Sequence, residues 1–72
     1  MATELGTRIR KARHVARLTP EQMAMELGVS VGTLFRYERK DAAKLSVGRL
    51  LRIADVTKRP ISFFFDDEED AA

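Results

Sequence analysis

Thr19 and Ser30 both read as helix N-caps, and Gly28 stands between them; no other feature limits the possible folds as strongly. Pro20 suits a first helical position, and Gln22 follows Thr19 by three residues, the place of a capping-box partner. Met23, Ala24 and Leu27 then recur with helical spacing as an inner face. Gly28 follows the last of them, where a helix end favours a left-handed residue. Ser30 starts a further helix from about Val31 to Arg39, with Leu34, Tyr37 and Glu38 on its inner side. One helix therefore stops and the next starts within about three residues, as a helix-turn-helix requires.

The flanking segments continue the helical pattern. Leu5, Ile9, Ala12 and Ala16 mark the apolar face of a first helix, capped by Thr3 and ending near Val15 or Arg17, with Arg8, Arg10 and Lys11 turned outward. A polar loop covers Asp41 to Leu45. Ser46 caps a fourth helix whose apolar positions are Val47, Leu50, Leu51, Ala54 and Val56. Pro60 closes the next loop, and Ile61 to Phe65 forms a short fifth helix or turn. The chain contains no alternating strand pattern, hairpin signal or internal repeat. The expected fold is an all-α, compact five-helix bundle over residues 1–65, with residues 66–72 as an acidic, disordered tail.

Charge narrows the choice of partner. The net charge is only +2 over 72 residues, but its distribution is uneven. Residues 1–65 hold all thirteen Lys and Arg against six acids, a net +7, while Asp66, Asp67, Glu68, Glu69 and Asp70 give the tail −5. A basic body of this size suits a polyanion, since neutralising phosphate releases counterions. The chain has no cysteine and a single histidine, His14, so no disulfide framework or zinc site can be built, and no metal or cofactor is expected. It shows neither a phosphate-binding loop nor a nucleophile–histidine arrangement, which argues against an enzyme. No apolar run approaches the length of a membrane span, and residues 1–10 lack a secretory signal.

The stretch LTPEQMAMELGVSVGTLFRYER places Ala24, Gly28 and Leu34 at the contact, turn and locking positions of two steeply crossing helices. With IRKAR before it, RYER at its end, SVGRLLRIA in the fourth helix and PISFFF beyond, it resembles the Cro and lambda-repressor family, also called the xenobiotic-response-element family. The resemblance covers about residues 5–65. It implies a five-helix lambda-repressor-like bundle that binds double-stranded DNA as a homodimer, with the third helix in the major groove and the second across the backbone. The implied role is transcription regulation, most naturally repression, in the cytoplasm at a bacterial or phage-encoded operator.

Carried over by position, the base-facing residues are Val31, Gly32, Thr33 and Arg36. The guanidinium fork of Arg36 matches the O6 and N7 acceptors of guanine, with phosphate as its alternative partner. Relatives often have glutamine where Val31 and Gly32 stand, and a phosphate-binding glutamine where Pro20 stands. Reading of DNA shape therefore gains weight, and backbone contact falls to Thr19, Gln22, Ser30, Arg39, Lys40 and Lys44. The family's usual glycine near Lys40 or Asp41 is missing, which implies a differently shaped loop. The resemblance also implies an internal pair of Arg13 with Glu38.

Met23, Met25 and Tyr37 read as core packing, and His14 as a partly exposed helix residue. Phe35 points away from the main apolar stripe, toward a DNA sugar, a thymine methyl, a dimer contact or the following loop. Of Phe63, Phe64 and Phe65, one or two close the core, and an exposed ring or the acidic tail is left for a protein partner. A protein-interaction module that keeps this fold without reading bases is the competing function. An antitoxin role falls within the DNA-binding class.

Overall fold

The structure, a computed structural model, describes residues 2–39 and 44–65, with side chains from residue 5 onward. Four α-helices follow one another: α1 (Ala2–Val15), α2 (Pro20–Leu27), α3 (Val31–Arg39) and α4 (Val47–Thr57). Of the two forms expected after Pro60, a short fifth helix or a turn, the chain takes a single 3-10 turn over Ile61–Phe64, so the described residues hold four α-helices and not five. No strand occurs among the described residues. Lys40 and the first three residues of the loop after it (41–43), together with the acidic segment 66–72, lie outside the described residues.

Local chemistry sets the helix ends. The Thr19 hydroxyl accepts from the Gln22 amide at 3.0 Å, and the Gln22 side chain accepts from the Thr19 amide at 2.8 Å, a reciprocal capping box with Pro20 in the first turn. Ser30 Oγ accepts from the Thr33 amide at 3.1 Å, and Ser46 Oγ from the Arg49 amide at 3.1 Å. The first helix begins at Ala2, one residue ahead of the cap expected at Thr3. Three helices end with a left-handed residue: Arg17 (φ 61°), Gly28 (φ 74°) and Lys58 (φ 59°). The residue after each returns its amide to a carbonyl of the last turn: Leu18 to Arg13, Val29 to Ala24, and Arg59 to Ala54. Only one of the three reversals uses glycine, so Arg17 and Lys58 carry the steric cost of the left-handed region.

The core is formed by Ile9 and Ala12 of α1, Met23, Ala24 and Leu27 of α2, Leu34 of α3, Leu50, Ile53 and Ala54 of α4, and Phe64 of the 3-10 turn. In α4 the buried stripe is Leu50, Ile53, Ala54 and Thr57, whereas Val47 and Leu51 are exposed. The hydroxyl of Thr57 donates to the Ile53 carbonyl at 2.8 Å, which lets a polar residue complete an apolar face. Met25 is 80% exposed, since it falls off the Met23–Ala24–Leu27 stripe, so the core-packing expectation fails for it. His14 is exposed. Arg8 is half-buried, and its guanidinium donates to the Phe63 carbonyl at 3.1 Å, tying the 3-10 turn to α1. Phe64 closes the core, Phe63 packs edge-on against it with ring centroids 5.4 Å apart, and Phe65 stays exposed.

The helices carrying the turn are braced from two sides. Gly6 is buried against α3: a Cβ added there would lie 2.5 Å from the Glu38 carbonyl oxygen, so the two backbones meet with no side chain between them. On the other side, Arg49 donates to the Leu27 carbonyl and Arg52 to the Glu26 carbonyl, each at 3.2 Å. Two cations of α4 thus satisfy carbonyls left open at the C-terminal end of α2, where the helix dipole favours positive charge.

Candidate nucleic-acid interface

The interface is centred on α3, whose orientation is set by what it buries. Leu34 is inaccessible to solvent and Glu38 is 6% exposed. Arg13 Nε donates to Glu38 Oε2 at 2.8 Å and Arg13 Nη2 to Glu38 Oε1 at 3.2 Å, a two-pronged pair. The remaining terminal nitrogen, Nη1, donates to the Leu18 carbonyl at 3.2 Å. One arginine thereby joins α1, the linker into α2 and the last turn of α3. Among the described residues no buried side-chain nitrogen or oxygen lacks a partner.

With Leu34 and Glu38 turned inward, Gly32, Arg36 and Arg39 are exposed on the outward side of α3. The first turn of α3 carries no acidic side chain, and Arg36 and Arg39 lie in its last turn. Val31 is half-buried against the core cluster. Thr33 is also half-buried, and its hydroxyl accepts from Ser30 Oγ at 3.0 Å. Of the four positions matched to base contact, Arg36 alone carries a long polar side chain, and the residue is exposed. A Cβ on Gly32 would meet nothing closer than Ser30 Oγ at 3.9 Å, so the outer surface there is open.

Two grooves flank α3. One, of about 410 Å³, brings Thr33, Arg36 and Tyr37 together with Lys44 and Arg49. The other, of about 250 Å³, is lined by Arg10 and Arg13 of α1 and by Phe35, Glu38 and Arg39 of α3. Thr19 and Gln22 are exposed at the start of α2 and lie in neither groove. Gln22 uses its amide oxygen in the capping box, which leaves its amide nitrogen for an outside acceptor. Beside them Glu21 puts a negative charge in the first turn of α2. Arg10, Arg49 and Glu21 did not stand out in the sequence. Nothing local marks the first two as groove-lining, but Glu21 next to a cap was visible.

The family model described as a helix-turn-helix domain matches residues 4–61, which takes in α2, α3, α4 and all but the first two residues of α1. The chain belongs to the helix-turn-helix domain family. A helix-turn-helix protein named as an HTH-type transcriptional regulator in Sinorhizobium medicae is 32% identical over 63 residues, 88% of this chain and 45% of that protein. A protein of Rhodospirillum rubrum named as a transcriptional regulator in the ATPase CF(0) region is 37% identical over 65 residues, 90% of this chain and 59% of its own. A further HTH-type transcriptional regulator, from Rickettsia conorii, is 36% identical over 67 residues, 93% of this chain and 53% of that protein. The helix-turn-helix domain thus spans about half the length of these relatives. No solved structure matches it. Among the described residues no helix is long and apolar enough to cross a membrane, and no group of three or more metal-ligating side chains is gathered.

Proposed function

We propose that this helix-turn-helix domain binds duplex DNA as part of a transcriptional regulator, with α3 in the major groove and the start of α2 on the backbone. The observation that carries this reading is the outward side of α3: exposed Arg36 and Arg39, no acid in the first turn, and Lys44 and Arg49 across the adjoining groove. Base contact is assigned to Val31, Gly32, Thr33 and Arg36. Phosphate contact is assigned to Thr19, Gln22, Ser30, Arg39, Lys40 and Lys44. Val31 is half-buried and Arg36 carries the one long polar side chain of the four, so direct readout rests mainly on Arg36, with the Thr33 hydroxyl, which accepts from Ser30, keeping its proton to donate. Gly32 lets backbone approach the base edges, and groove shape supplies the remaining preference.

Action as a homodimer on a palindromic operator, with α3 helices about 34–36 Å apart, is the arrangement this mode of docking favours. Repression then follows from occlusion of the promoter. A gel-shift titration in salt tests the reading. With Arg39, Lys40 and Lys44 on phosphate, the log–log slope is about −2.7 per protomer, a loss of roughly fortyfold between about 50 and 200 mM salt. Failure to bind any duplex drawn from a random pool would refute it in favour of a protein-interaction module.

A further inference from the structure

The groove between α1 and α3 has features that the contacts assigned above leave unused. Its floor is the Arg13–Glu38 pair, whose side chains are only 7% and 3% exposed and whose charges cancel. Its charged rim is Arg10 and Arg39, both exposed, on opposite helices. One wall is Phe35, half-buried, with the Arg39 guanidinium carbon 6.0 Å from the ring centroid. That distance is within cation–π range, so the ring holds the guanidinium over the mouth of the groove.

The groove also lies beside the proposed DNA surface. At 3.6 residues per turn, the Phe35–Arg39 stripe lies about 60° round the helix from the Gly32–Arg36 stripe. A ligand for this site needs anionic oxygens for two guanidinium groups and, beside them, an apolar edge for an aromatic ring. An acidic peptide supplies both only where an apolar side chain happens to stand beside its carboxylates. The repeating unit of a DNA strand supplies both, because each phosphate is joined to the carbon edge of a deoxyribose.

We infer that the Arg10–Phe35–Arg39 groove is a sugar–phosphate clamp for the DNA strand on the α1 side of α3. Arg10 and Arg39 each hold a phosphate of that strand, and Phe35 packs against the sugar between them. The inference rests on the DNA-binding reading above and adds Arg10 and Phe35 to it. Its lever is Arg10: the residue is exposed, so its replacement leaves the core intact.

The test is fluorescence anisotropy of the full chain on a duplex selected from a random pool by the wild type, over about 50 to 200 mM salt. Arg10→Gln is expected to weaken binding and to lower the magnitude of the salt slope by about 0.9 per protomer, the value of one phosphate contact. Lys11→Gln, an exposed neighbour that does not line the groove, is expected to leave the slope unchanged. Phe35→Ala is expected to bind about tenfold more weakly at an unchanged slope, as for loss of part of an aromatic contact. If Phe35→Ala unfolds the chain, the comparison of Arg10→Gln with Lys11→Gln decides alone. Equal slopes for those two variants overturn the clamp while leaving DNA binding in place. Absence of duplex binding by the wild type overturns the clamp and the broader reading together. Capture of an oligoglutamate peptide that Arg10→Gln abolishes, with duplex binding unchanged, assigns the groove to an acidic protein segment and overturns the clamp.

Discussion

Replacing Gly6 by alanine adds one methyl group where α1 meets the last turn of α3. The new Cβ would lie 2.5 Å from the Glu38 carbonyl oxygen and 2.7 Å from its carbon, about 1 Å short of an ordinary contact. Both atoms belong to backbone, so no rotamer change can relieve the overlap, and one helix must move. Overpacking of this kind costs about 1–3 kcal/mol, and the upper end applies because backbone must shift. Alanine returns about 1 kcal/mol through its helix propensity, leaving a net loss of about 2 kcal/mol. For a domain of this size that lowers the melting temperature by roughly 8–16 °C. Circular dichroism at 222 nm, followed through heating and through urea, measures it. Gly48→Ala is the internal control: its Cβ meets nothing within 4 Å, so helix propensity acts alone and the melting temperature rises. If Gly6→Ala melted higher than the wild type, like Gly48→Ala, the close crossing of α1 and α3 would be wrong.

Three other substitutions give outcomes of known sign. Glu38→Gln leaves Arg13 charged in a buried site without its carboxylate, at a cost of about 3–5 kcal/mol, so thermal melting should show a chain largely unfolded at 37 °C. Abolished DNA binding with an unchanged melting temperature would instead make Glu38 a contact residue. Lys58→Gly relieves a left-handed strain of about 1–2 kcal/mol and gives back about 0.5–1 kcal/mol to the unfolded chain, so melting should rise by a few degrees. A fall would mean that the Lys58 side chain does more than end α4. Glu21→Gln removes the acid beside the proposed backbone contacts of α2; binding isotherms should tighten about threefold, while melting drops slightly through loss of a favourable helix-dipole contact. Unchanged affinity would place the start of α2 away from the phosphates.

What was legible in the sequence was local chemistry. Thr19, Pro20, Gln22, Gly28, Ser30 and Ser46 mark their helix ends through interactions that span only a few residues, and each end is where those residues put it. The α1 face at Ile9 and Ala12 was readable for the same reason. What was hidden depends on partners far along the chain. Gly6 looks like any helix glycine until the Glu38 carbonyl is beside it. Arg8, Arg49 and Arg52 look like surface charges until each meets a carbonyl at Phe63, Leu27 or Glu26. In α4 two apolar stripes overlap, and the choice of Leu50, Ile53 and Ala54 over Val47 and Leu51 is made by the neighbours that α4 packs against. At the candidate interface the residue types on α3 were visible, but not that Ser30 occupies the Thr33 hydroxyl or that Phe35 sits under Arg39.

The burial of Arg13 and Glu38 bears on how the protein responds to its medium. Dissolved ions screen charges that they can surround, and this pair is closed off from them, whereas Arg36, Arg39 and Lys44 are not. Brine should therefore strip the molecule of its attraction for polyanions long before it loosens the joint that keeps α3 in position. A change of ionic strength becomes a dial for attachment alone, turned without disturbing the architecture behind it.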